Sequence, residues 1–142
     1  MTADPFGLHR FVAAQEPVME AVRRELSEGL KRSHWMWFVF PQLRGLGRSP
    51  KALHFGLSGL DEARAYLAHP VLGPRLEECA ALVNAQRGRS ALAILGSPDD
   101  VKLHASMTLF VLARPGASPF HAALEGFFGG QPHAGTMRLL EG

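Results

Sequence analysis

The stretch KRSHWMWFVFPQ, Lys31 to Gln42, gathers several chemically capable side chains beside an apolar run. Lys31 and Arg32 carry positive charge, and His34 is of the type that exchanges a proton near neutral pH. Trp35 and Trp37, the two tryptophans of the chain, offer planar aromatic faces. Cations beside an indole suit a planar anion, a nucleotide or a compound like it. If Ser33 caps a short helix ending at Phe40, before Pro41, the helix N-terminus adds free amides to that attraction. Gln42 closes the stretch, and Lys102, Ser106 and Thr108 are polar groups that a later helix would bring to it. Lys31, Arg32, His34, Trp35, Trp37, Gln42, Lys102, Ser106 and Thr108 are therefore the candidate ligand-binding residues. His34 is the candidate acid or base if the site is catalytic, with Asp99 or Asp100 assisting. The competing account is an aromatic core whose indole N–H groups find partners in His34, Gln42, Ser106 or Thr108.

Other chemistries leave weaker traces. The 7 histidines form no HxH, HxxxH or HExxH spacing, and the single cysteine, Cys79, has no second cysteine to pair with; no metal or cofactor is expected. There is no GxSxG elbow, and Ser106 and Thr108 fall mid-helix, where a hydroxyl bonds back to a carbonyl. Asp99 and Asp100 sit in a helix first turn, which the dipole already explains. RGLGRS, Arg44 to Ser49, resembles a phosphate cradle only loosely, because Pro50 removes a donor and no strand precedes it. Arg44, Arg48 and Lys51 nevertheless keep an anion site open there.

The whole chain sets the bounds for these side chains. Its 142 residues are 46% hydrophobic and 20% charged, which suits one globular domain, residues 1–142 with a core from about 8 to 140. A net charge of +2 is too small for a nucleic-acid surface. No apolar run approaches a membrane span and no signal peptide is visible, so a soluble, cytoplasmic protein without membrane or nucleic-acid partners is expected.

Dense helix punctuation runs through the chain. Ser-Pro pairs at 49–50, 97–98 and 118–119 each read as an N-cap followed by proline at the first helical position. Leu8, Phe11, Val12, Val18, Val22 and Leu26 repeat at helical spacing up to Gly29, with Pro17 breaking the run near Glu16. Ser58 lies three before Asp61, as in a capping box, and that helix stops at His69-Pro70. LGPRLEECAALVNAQRG reads as a helix terminated by Gly88, SALAILG as a turn, and TMRLL as a short final helix. No stretch alternates as a strand. The expected fold is all-α, a single domain of about six to eight short helices in an orthogonal or superhelical arrangement. PQLRGLGRSP is its one long loop.

GLKRSHWMWFVFPQLRGLGRSPKALHFGL, EARAYLAHPVLGPRL and DDVKLHASMTLF resemble the DUF1810 family, a domain family of unknown function, from about Leu8 to Leu140. The resemblance implies a mainly α-helical, superhelical domain and supplies no activity. Lys31, His34, Trp35, Trp37, Gln42, Gly47, Lys102, Ser106 and Thr108 fall on the family's pattern. Phe55, His104 and Ala105 depart from it, where relatives commonly carry tyrosine, a basic residue and a second serine. Three functions follow as expectations: binding of a small anionic ligand near SHWMWFVFPQ, a hydrolase or transferase acting on a nucleotide or ADP-ribose-like compound, or a protein-interaction module.

Overall fold

Pro17 divides the first apolar stripe, as expected: α1 spans His9–Gln15 and α2 spans Met19–Glu28, where Gly29 closes the helix in the left-handed conformation at φ 74°. The computed structural model describes residues 3–86 and 88–142. Among these are eight further helices: α3 (Met36–Val39), α4 (Pro50–Phe55), α5 (Leu60–Ala68), α6 (Leu72–Asn84), α7 (Ala91–Leu95), α8 (Asp99–Ala113), α9 (Pro119–Phe128) and α10 (Ala134–Glu141). No strand forms among the described residues; one parallel bridge joins Leu43 to Leu57. The fold is all-α, and its helices exceed the expected six to eight because SALAILG proves helical and the break at Pro17 makes two helices of the first stripe.

Punctuation explains most boundaries and misplaces some. Ser49 and Ser118 cap as expected, accepting from the Ala52 and His121 amides at 3.1 Å each. Ser97 does not: Pro98 itself takes the position before the first helical residue, Asp99. Ser58 offers its amide, not its hydroxyl, to the Glu62 carboxylate at 2.8 Å, and Gly59 occupies the cap position. SALAILG is a helix, since Ser90 accepts from the Ala93 amide at 3.0 Å. α6 ends at Asn84, short of Gly88. Ser33 caps nothing: α3 begins after Trp35, and the Ser33 hydroxyl is held by Glu25.

The core is organised around α8, which packs on α5, α7, α9 and α10 and buries every residue from Ala105 to Phe110. A run of aromatic rings crosses it: Phe11 to Tyr66 at 5.1 Å, Tyr66 to Phe110 at 5.6 Å, and Phe110 to Phe120 at 5.7 Å. Such pairs add to the burial of their large apolar surfaces. Cys79 is fully buried on α6; burial pushes its thiol pKa up to about 12, so it is a small core residue without nucleophilic character.

Two polar anchors hold the loop after α3. Arg10 donates to the carbonyls of His54 and Gly56 and pairs with buried Glu62 at 2.9 Å, fixing the end of α4 to α1 and α5. The Arg44 amide bonds the Leu57 carbonyl at 2.8 Å and the Leu57 amide bonds the Gln42 carbonyl at 2.9 Å. The start of PQLRGLGRSP and the far end of α4 are thus tied to the core. No helix is long and apolar enough to cross a membrane among the described residues.

Candidate functional site

Trp35 stands at the N-cap of α3, in non-helical conformation, and Trp37 lies within its single turn, so the two tryptophans take different directions. Trp35 points inward and is completely buried. Its Nε1 donates to Glu25 Oε1 at 3.0 Å, a partner the sequence reading did not name. Glu25 also accepts from the Arg32 amide at 2.8 Å, the Ser33 amide at 3.0 Å and the Ser33 hydroxyl at 2.6 Å. Burial would raise its pKa; the Ser33 hydroxyl, the Arg32 amide, the Trp35 indole and the Ser33 amide outweigh it and hold the carboxyl at about 2. A signal was present: Glu25 stands three after Val22 on the apolar stripe of α2, where a charge requires partners.

Trp37 is half-buried and faces outward. The Lys102 ammonium stands 4.7 Å from its ring centroid and that of Lys51 4.8 Å. The indole forms one wall of a cleft of about 320 Å³, which α3, the loop, α4, the start of α8 and His133 enclose. Gln42, Gly47 and Ala52 line the same space as Trp37, and Leu46, Pro98 and Val101 add apolar surface. The charged side chains lining it are Arg48 and Lys102, with no carboxylate among them. Arg48 and Lys51 form no ion pair, and the Gln42 carboxamide makes no hydrogen bond, among the described residues. A cleft of this size accommodates a mononucleotide-sized ligand. A similar hollow beside the end of α6 has Arg89 as its charged lining, but that guanidinium already donates to the Gly29 carbonyl at 2.9 Å.

Lys31 reaches this region indirectly. Its Nζ lies 2.9 Å from Asp99 Oδ2 and is almost buried, with the Trp35 ring centroid 5.1 Å away. Lys102 Nζ approaches the other oxygen of Asp99 at 3.7 Å. One carboxylate at the start of α8 therefore joins the lysine that leads into α3 to the lysine beside Trp37.

The remaining sequence candidates do not join the cleft. Arg32 pairs with Glu28 on the exposed face of α2. His34 is exposed, lines no part of the cleft and makes no hydrogen bond among the described residues. Ser106 is fully buried with an unpartnered hydroxyl, so it and His34 do not face one pocket. Thr108 donates back to the His104 carbonyl at 2.8 Å and accepts the His133 amide at 2.9 Å, which makes it a structural link between α8 and α10. Arg44 is consumed by the carbonyls of Leu53 and Gly56. The indole partners proposed for Trp35 are accordingly replaced by Glu25.

His133, which sequence reasoning passed over, is the polar terminus of the cleft. Its Nδ1 accepts from the Thr136 amide at 3.1 Å and caps α10. Burial first, then His104 and Arg138, lower its pKa below the ordinary value. No group of three His, Cys, Asp or Glu that could hold a metal ion occurs among the described residues.

Fold and cleft together define the class: an all-α domain in which an indole and the side chains of Arg48 and Lys102 line one cleft. The family described as "Protein of unknown function (DUF1810)" matches residues 5–140, and the chain belongs to it. The crystal structure of the conserved hypothetical protein Rv1873 from Mycobacterium tuberculosis is similar at 55% sequence identity, with a TM-score of 0.95 over 98% of this chain and 99% of that chain. No curated protein matches.

Proposed function

We propose that the cleft between α3, α4 and α8 binds a small anionic ligand with a planar ring, of nucleotide size. The observation that supports this reading is the Trp37 indole with the ammonium groups of Lys102 and Lys51 at 4.7 and 4.8 Å from its ring centroid, beside a cleft lined by cations and no carboxylate. In this reading the ring packs against Trp37 and the apolar lining, Gln42 hydrogen-bonds its edge, and Lys102, Arg48 and Lys51 meet the anion. The positive field of the cleft also draws the anion in.

The set of candidate residues contracts accordingly. Trp37, Gln42 and Lys102 act directly, Lys31 acts through Asp99, and Arg32, Trp35, Ser106 and Thr108 shape the fold. Catalysis by His34 draws no support from its exposed position outside the cleft.

The test is a fluorescence titration of the purified protein with AMP, paired with thermal unfolding. A saturable change with a matching rise in Tm is expected. Lys102→Met removes the response, and His34→Ala leaves it unaltered. A flat titration in the wild-type protein overturns the reading.

A further inference from the structure

Asp99 poses a question that the binding site alone does not answer. An anion site gains nothing from a carboxylate within reach of its principal cation, yet Asp99 Oδ1 stands 3.7 Å from Lys102 Nζ. The other oxygen of the same carboxylate is 2.9 Å from Lys31 Nζ. Lys31 is the more deeply buried of the two lysines, its side chain 7% exposed against 21% for Lys102. The short, shielded contact is the stronger one, because Coulomb attraction rises as distance and effective dielectric fall. Asp99 is therefore held by Lys31 and only touched by Lys102. Lys102 in turn projects to the Trp37 ring at 4.7 Å and lines the cleft.

We propose that the cleft selects a phosphomonoester dianion attached to a planar ring, by exchange at Lys102: the ligand replaces Asp99 as the partner of this lysine, while Lys31 keeps Asp99 neutralised. The inference rests on the anion-binding reading above and names its ligand class. The entering group must outcompete a carboxylate for Lys102. A phosphomonoester does so, because it carries nearly two negative charges at neutral pH and three acceptor oxygens. A neutral ring does not, and a monoanion does so poorly. Arg48 and Lys51, which have no carboxylate partner among the described residues, supply the further positive charge that a dianion demands. Lys31 makes the exchange possible. Without it, the full charge of Asp99 would fall on Lys102 and face the incoming anion.

The experiment compares three ligands with one ring: AMP, a dianion; cyclic AMP, a monoanion; and adenosine, neutral. Fluorescence titrations at pH 7.5 are expected to place AMP about tenfold or more ahead of cyclic AMP, with adenosine weaker still. Asp99→Asn frees Lys102 and is expected to shrink the AMP preference over cyclic AMP by about threefold or more. Lys31→Met is expected to weaken AMP about tenfold, since Asp99 then captures Lys102. The double variant Lys31→Met/Asp99→Asn removes both buried charges together and is expected to recover AMP binding. It also guards against Asp99→Asn failing to fold with Lys31 left unpaired. Recovery in the double variant is a response that a purely structural ion pair would not produce.

Equal affinities for AMP and adenosine overturn the exchange and the anion-binding reading together. Equal affinities for AMP and cyclic AMP, both ahead of adenosine, overturn the exchange while leaving the cleft an anion site. So does a Lys31→Met protein that binds AMP as the wild type does, or a double variant that stays as weak as Lys31→Met. A wild-type protein that responds to none of the three ligands overturns both the exchange and the anion-binding reading.

Discussion

Glu25 and Trp35 meet at 3.0 Å through one carboxylate oxygen and the indole N–H, ten residues apart in the chain and both inside the core. The same carboxylate gathers the Arg32 and Ser33 amides, so the strand of chain between α2 and α3 is wrapped around a buried negative charge. This wrapping fixes where α3 begins, and hence where Trp37 emerges one residue later.

Glu25 makes the fold acid-sensitive. Its pKa, held at about 2 by those donors against the cost of burial, lies below the ordinary value of 4.5. The unfolded chain takes up the proton first as pH falls, so the contribution is complete above about pH 4.5 and is lost toward pH 2. A depression of this size is worth about 3 kcal/mol. Urea unfolding across this range is expected to show the decline. Glu25→Gln is expected to be less stable by about 2 kcal/mol at pH 7 and to differ little from wild type near pH 2.

The two tryptophans separate core from cleft. Trp35→Phe strips an indole donor from Glu25 and is expected to cost about 1–3 kcal/mol in denaturant unfolding, with ligand affinity kept in the folded fraction. Trp37→Phe is expected to leave stability within about 1 kcal/mol and to abolish the fluorescence response to AMP. A response that survives in Trp37→Phe and vanishes in Trp35→Phe would contradict this division of labour.

Gly47 keeps the cleft open. A Cβ there would stand 2.8 Å from the Ala52 Cβ of α4, closer than two methyl groups can approach. Gly47→Val is expected to push α4 aside, lowering stability by about 1–3 kcal/mol and weakening AMP binding together. Gly47→Ala/Ala52→Gly is expected to keep AMP binding, because the second change removes the methyl that collides, at a stability cost of up to about 1 kcal/mol for glycine in α4. Thermal unfolding and titration of the pair of variants check this directly.

His133 ties the last helix to pH. Its Nδ1 must be unprotonated to accept the Thr136 amide, and burial, His104 and Arg138 all favour the neutral ring. A histidine that resists protonation when folded stabilises fully above its ordinary pKa of 6.5, and the contribution falls as pH drops through that value. Hydrogen exchange of the α10 amides is expected to quicken between pH 7.5 and 5.5, after correction for the intrinsic rate. His133→Asn keeps a capping side chain and is expected to remove this pH dependence. Unchanged α10 protection in the wild-type protein over that interval would contradict the account.

The chain by itself determined the helical class and most of its punctuation, because capping and apolar spacing act over a few residues. Pro17, Gly29, Ser49 and Ser118 do locally what their types dictate. Where a distant group competes, local rules fail. Ser33 gives up a cap because Glu25 takes its hydroxyl, and Ser58 offers its amide to Glu62, which Arg10 holds from another helix. The site divides in the same way. Residue types marked Lys31, Trp37, Gln42 and Lys102 as capable of meeting an anion. Only the placing of the start of α8 beside α3 and the loop brought Trp37, Gln42 and Lys102 to one cleft, put Lys31 against Asp99, and left Arg32, His34, Ser106 and Thr108 elsewhere, though they carry equally suitable chemistry. The reason is geometric. Whether a cation is free, paired or pointed elsewhere depends on which carboxylate or carbonyl the fold brings within about 4 Å, and that distance is set by contacts between elements far apart in the chain.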